Sequence, residues 1–278
     1  MLSSSRDVMK RLLIVLIPAL LFTSCRTNPP ITPENRISGK IFLKVNFNFV
    51  PQSRIINKVV LLEDFANVSC QPCVGSNLFI KSLTREVYGP EKLVAVKYHT
   101  FFPGPNDPLY TANKPLYDSK ISFYNVFFAP TTIIDGLERP DTSALGQKID
   151  TRLTTAPPFE IIVTDTFISG SYYIDVRVNS LSTIDLTNLM LEAAVIEEEI
   201  EFDNAPGSNG ETKFYDVARK ILPQIDGLSL ADVQQSGSNI MDIEDDLLES
   251  WQTNKLNVVV FIQNKLSKEV LQAGTVLK

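Results

Sequence analysis

Apolar and other residues alternate strictly at Ile41, Leu43, Val45, Phe47 and Phe49, the two-residue period of a half-buried β-strand. Pro51 ends it. Residues 58–66 are a more continuous apolar run, which predicts a second strand. A short polar turn follows, and then Phe79, Ile80 and Leu83 share one helical face. This spacing predicts a helix over roughly 74–87, stopped by Gly89-Pro90. Leu93–His99 predicts a strand apolar enough for the interior of a parallel sheet. The run 102–108 is rich in Pro and Gly and reads as loop. Residues 114–124 predict a helix, 131–134 a short strand, and Asp135-Gly136 a hairpin turn.

The pattern changes near Thr154–Pro158. Strands are predicted at 159–167, 172–178, 189–198, 214–222, 256–263 and 269–277, without long helical runs between them, and 204–210 reads as loop. Strands at this spacing suggest an antiparallel sandwich. Two domains are therefore expected, an α/β unit over 41–156 and an all-β, sandwich-like unit over 157–278.

Ahead of both, Arg6, Lys10 and Arg11 precede an uncharged apolar stretch from Leu12 to Phe22, the layout of an export signal. Phe22-Thr23-Ser24-Cys25 resembles a bacterial lipobox, which implies a signal peptide over 1–25 and a lipid on Cys25. The alternative is an ordinary secretory peptide with an incidental cysteine. Residues 26–40 begin with a polar, proline-rich stretch and read as a tether.

Composition narrows the function. The 278 residues are 44% apolar and 21% charged, as in a globular protein. A net charge of -6 gives no support to nucleic-acid binding, which favours a basic surface. His99 is the single histidine, which rules out mechanisms needing two. The acidic runs at 197–203 and 242–246 lack the ligand spacing of a calcium loop and read as solvated charge.

Cys70 and Cys73, spaced C-x-x-C where a strand feeds a helix, are the candidate chemistry. Helix-start amides and the helix dipole favour a thiolate at the first cysteine, so Cys70 is the expected nucleophile and Cys73 the resolving thiol. Neutral Gln71 leaves the direction of electron flow open. The bland reading is a structural disulfide in an exported domain. Cys70, Cys73 and His99 make a poor zinc set, and Val74 after Cys73 excludes haem attachment. No cofactor or metal is expected. His99 ends a strand neighbouring the cysteine strand, on the rim where ligands gather, so it is a candidate for substrate contact or thiolate stabilisation.

Asp64-Phe65-Ala66 before Cys70, and the segment Tyr124–Gly136 with Ala129-Pro130-Thr131, resemble the two signatures of thioredoxins. That resemblance implies a thioredoxin-like fold for the first domain, a buried proton acceptor at Asp64, and a cis Pro130 that with Ala129 offers backbone to an extended substrate. Ser69 stands where thioredoxins carry tryptophan, and Trp251 lies in the other half. The whole arrangement is similar to the outer membrane protein 28-related family of exported proteins. The matching pieces are Leu62–Phe65, Tyr98-His99, Val217–Pro223 with Gly227, Val258–Asn264 and Val270–Ala273. The expected function is thiol–disulfide exchange on exported protein thiols in the cell envelope, periplasm-facing and lipid-anchored, with protein substrates or a redox protein as partners. The alternative is a non-enzymatic binding or assembly lipoprotein stapled by a structural disulfide.

Overall fold

The computed structural model describes residues 36–277; the signal segment, Cys25 and most of the tether lie outside them. In chain order the elements are β1 (Ile37–Asn48), β2 (Val60–Ala66), α1 (Gln71–Ser82), β3 (Leu93–His99), α2 (Pro108–Ala112), α3 (Lys114–Tyr124), β4 (Thr131–Ile134), α4 (Leu145–Leu153), β5 (Phe159–Ile168), β6 (Ser171–Ser180), β7 (Leu189–Glu201), β8 (Lys213–Leu222), β9 (Leu228–Ser229), α5 (Leu230–Ser236), β10 (Ile240–Leu248), β11 (Leu256–Asn264) and β12 (Val270–Thr275). A π-helical turn, Leu83–Val87, extends α1. Two sheets contain all the strands: a four-stranded one ordered β10-β1-β6-β5, and an eight-stranded one ordered β12-β11-β7-β8-β3-β2-β4, with β9 on β7.

The expected thioredoxin-like α/β domain followed by a separate sandwich is therefore corrected. The chain is a β-rich fold in which strands from both halves share each sheet. β1 lies between β6 and β10, and β8 pairs in parallel with β3. Residues 41–156 and 157–278 do not form separate bodies. A period of two shows that a run is a strand, but not which sheet it joins.

Alternation explains the layers. In β7 and β11, Leu191, Ala193, Val195, Val258, Val260 and Ile262 face the small sheet, meeting Ile41, Leu43 and Val45 of β1. Their neighbours Ala194, Ile196, Val259 and Phe261 face the other way, onto Leu116, Tyr117, Ile121 and Tyr124 of α3. In β2 and β3, Leu61, Phe65, Val94, Val96 and Tyr98 continue that second layer. Val60, Leu62, Leu93 and Ala95 instead meet Ile80 and Leu83 beside α1 and Leu145 and Ile149 of α4. The large sheet is thus covered on both faces, which is why its strands read as continuous apolar runs rather than alternating ones.

Several local expectations hold. β3 spans 93–99 and α3 spans 114–124. Asp135 and Gly136 both take positive φ, 44° and 72°, as a tight primed hairpin turn requires, and Ile134 pairs with Glu138 across it. Other elements escaped. The 102–108 run is not all loop, because Asp107 caps α2 with Pro108 in its first turn. The apolar pattern does not predict α4, α5 or β10.

Because one layer joins the halves, Phe261→Ala, which empties a fully buried ring site in the α3 layer, is expected to cost about 3–5 kcal/mol. Urea unfolding followed by circular dichroism and by tryptophan fluorescence should show one coincident, shifted transition. Two separate transitions would mean that the halves are independent.

Candidate functional site

The site begins at the C-terminal end of β2. Cys70 is the N-cap of α1, and Pro72 sits in the helix's first turn. Cys70 and Cys73 are joined in a disulfide. The Cys73 N–H donates to Cys70 Sγ at 3.2 Å, so the sulfur occupies the place of a capping oxygen at the positive end of the helix. Both cysteines are buried, 1% and 0% exposed, against Ala66 and Ala129. In the oxidised pair neither sulfur faces solvent.

The turn ahead of Cys70 is tied on every side. Asn67 forms an Asx turn: its Oδ1 accepts from Ser69 N at 2.8 Å, and its carbonyl accepts from Cys70 N at 2.9 Å. Its Nδ2 donates to the carbonyls of Thr100 and Gly104. Asp107 Oδ2 accepts from Val68 N at 3.0 Å and contacts His99 Nδ1 at 2.7 Å, while its Oδ1 caps α2 through Leu109 and Tyr110. From the other half of the chain, Asn209 donates its N–H to Val68 O at 3.1 Å and its Nδ2 to Cys70 O at 3.3 Å.

The expected site residues fall out as follows. Asp64 is buried, but it is not a free base: Lys97 Nζ donates to its Oδ2, and Thr132 Oγ1 to its Oδ1 at 3.0 Å. Lys97 also donates to Asn77 Oδ1 at 2.6 Å. Asn77 lies four residues after Cys73, on the same face of α1. His99 is fully buried, edge-on to Phe214 at 5.5 Å, and reaches the cysteine turn through Asp107. Pro130 follows a cis peptide bond, and Ala129 packs against the disulfide. Cys25 lies outside the described residues. The structure thus gathers Cys70, Cys73 and Ala129, with Pro130 next to Ala129 in the chain, and keeps His99 one residue removed.

Sequence reasoning missed Asn67, Asn77, Lys97, Asp107 and Asn209. Asp107 carried a signal, an Asp directly before a Pro at a helix start. Asn67, two residues before Ser69, carried an Asx-turn signal. Lys97 inside an apolar strand demanded a buried acid, and Asp64 is that acid. Asn209 offered nothing local.

The acidic runs meet cations. Glu197 pairs with Arg219, Lys220 with Asp245, and Lys40 with Glu244 and Asp246. Among the described residues no group of three or more His, Cys, Asp or Glu is placed to hold a metal ion.

No family model matches the chain, and no curated protein does. Among solved structures it is similar to HBP35 of Porphyromonas gingivalis, with a TM-score of 0.62 and 18% identity over 80% of this chain and 76% of that one. That likeness concerns the fold alone. Protein AGR_C_4864 from Agrobacterium tumefaciens superposes more loosely, with a TM-score of 0.49 and 15% identity over 79% of this chain and 95% of that one.

Burial alone would push the Asp107 carboxyl up. His99 beside it and the amides of Val68 and Tyr110 outweigh that and hold it below its ordinary value. A carboxylate with a depressed folded pKa adds stability above its unfolded value of about 3.9, and that stability is lost as pH falls through the lower folded value. Asp107→Asn is expected to lose about 1.5–3 kcal/mol at neutral pH and to show a flatter acid limb. Urea midpoints measured between pH 3 and 7 check this; parallel wild-type and variant curves would contradict it.

Proposed function

We propose that Cys70 and Cys73 exchange thiols and disulfides with exported proteins, and that the chain is held at the cell envelope by a lipid on Cys25. The family resemblance of the sequence and the leader ahead of Cys25 support the location. The observation that carries the chemistry is the Cys73 N–H aimed at Cys70 Sγ in the first turn of α1. After reduction the same donor and the helix's partial positive charge favour a thiolate on Cys70, each effect being worth roughly 0.3–1 kcal/mol.

The reduced pair works in two balanced steps. Cys70 thiolate attacks one sulfur of a substrate disulfide, forming a mixed disulfide and expelling the other substrate sulfur as thiolate. Cys73, as its thiolate, then attacks Cys70 Sγ. This closes the Cys70–Cys73 bond and releases the second substrate thiolate. Two electrons pass to the substrate; the reverse sequence oxidises a substrate dithiol. Ala129 and Pro130, beside the disulfide, are the backbone surface for the substrate strand.

A second reading, the structural staple in a binding or assembly protein, is favoured by one observation: neither cysteine is more than 1% exposed. The two readings separate on the reactivity of the reduced protein. Cys70 should alkylate well before Cys73, with an apparent pKa below about 8.5. Cys73→Ser should trap mixed disulfides with envelope proteins. Mass spectrometry of alkylated peptides reads the order, and membrane fractionation of Cys25→Ala against wild type reads the anchor. Equal, slow labelling of both thiols with no trapped partner would leave the staple standing.

A further inference from the structure

The connection between β7 and β8 lies on the C-x-x-C turn, although about 130 residues of chain separate them. Asp203, Asn204, Ala205, Ser208 and Gly210 are exposed, while Asn209 among them is buried. Asn209 joins the segment to the turn by its N–H to Val68 O and its Nδ2 to Cys70 O. Glu211 fixes that side chain: Glu211 N donates to Asn209 Oδ1 at 3.0 Å, and Asn209 Nδ2 donates to Glu211 Oε2 at 2.6 Å. Asn77 Nδ2 donates to the same carboxylate at 2.8 and 3.0 Å. Through Asn77 the chain of contacts continues to Lys97 and Asp64. Gly207 touches the turn so closely that a Cβ on it would lie 2.2 Å from Val68 O.

We propose that residues 203–211 are an internal cover over the disulfide, latched by Asn209 and Glu211, which must lift from Val68 and Cys70 before either sulfur can be attacked. The inference deepens the exchange reading by assigning the step that admits a partner. It is independent of that reading in one respect, since a cover limits any reductant, whether or not proteins are the substrates.

The physical case rests on asymmetry. The other ties of the turn, Asn67 and Asp107, are buried side chains built into the strand ends and the cap of α2. The cover is an exposed connection with one buried side chain, so it is the element that opens locally at least cost. Its hydrogen bonds go to backbone carbonyls of the turn and to Asn77 of α1. Lifting it therefore leaves the strand pairing of β7 and β8 intact.

Reduction of the oxidised chain by dithiothreitol tests this. A dithiothreitol thiolate attacks one sulfur, breaking the Cys70–Cys73 bond and forming a mixed disulfide. Its second thiol then closes a ring, so the reagent is oxidised and both cysteines leave as thiols. Rates are read by quenched alkylation and mass spectrometry on the full chain without denaturant. Asn209→Ala removes the latch, and Gly207→Ala pushes the segment off Val68 by bulk alone. Both are expected to be reduced about tenfold faster than wild type, each 1.4 kcal/mol of lost closure being tenfold in the open fraction. Phe261→Ala, remote from the cover, serves as the control and should accelerate far less. Rates within twofold of wild type for both cover variants would overturn the proposal. So would equal acceleration by Phe261→Ala, because opening would then be global unfolding. Faster reduction without any trapped protein would sink the exchange reading and leave the cover; trapped proteins with unchanged rates would do the reverse.

Discussion

Lys97 of β3 opposite Val217 of β8 is the contact on which the rest of the molecule depends. It is where the sheet built from the first half of the chain meets the meander built from the second. A short parallel ladder is a weak seam by itself, and β8 still carries backbone groups that need partners. Side chains supply them. Tyr117 Oη donates to Ala218 O at 2.7 Å, and Asn113 Nδ2 to Arg219 O at 2.6 Å, both from the α3 end. Arg85, in the π-helical turn after α1, grips Asp216 with both guanidinium nitrogens at 2.9 and 3.0 Å. With β8 seated there, the connection leading into it lies on the cysteine turn. Fold and site are thus one consequence of one seam.

Buried charge keeps the seam in register. Strand β2, between β3 and β4, is enclosed along its whole length yet contains Glu63 and Asp64, which a buried strand can hold only with partners. Asp64 faces Lys97. Glu63, on the other face, accepts from Tyr98 at 3.1 Å and from Tyr124, and Lys120 stands 3.9 Å away while pairing with Glu192 of β7. Burial pushes the Glu63 carboxyl up, and the acids around Lys120 keep its ammonium above its ordinary value despite burial. A second buried set, Lys58 and Arg152 on Asp135, locks the β4 turn to Val270 of β12. A slip of one residue in any of these strands would strand an ion in the core, at a cost of several kcal/mol. Specificity of pairing is what these charges contribute.

Most strands were legible because their apolar runs are long and bounded by Gly, Pro and Asn. The assembly was not. Val258–Gln263 and Leu93–His99 read alike, yet nothing in either run says that both belong to one sheet joined through β8. The helix at Leu145–Leu153 was missed because only Leu145 and Ile149 are buried on it, too few to set a period. In the site, the cysteine pair and Ala129-Pro130 were visible as local spacing. The tie from Asn209 to the turn was invisible, because it joins residues far apart in the chain. Local spacing carried the individual strands, and where long-range pairing carried the information the thioredoxin-like expectation failed.

A redox titration of the full chain against glutathione reaches the central claim most directly, because burial alone suits a staple and a helix-capping sulfur suits an exchanger. The account predicts a potential within the range of exchanging pairs, about −120 to −270 mV. A value below about −300 mV, where structural disulfides resist the glutathione pool, would contradict it.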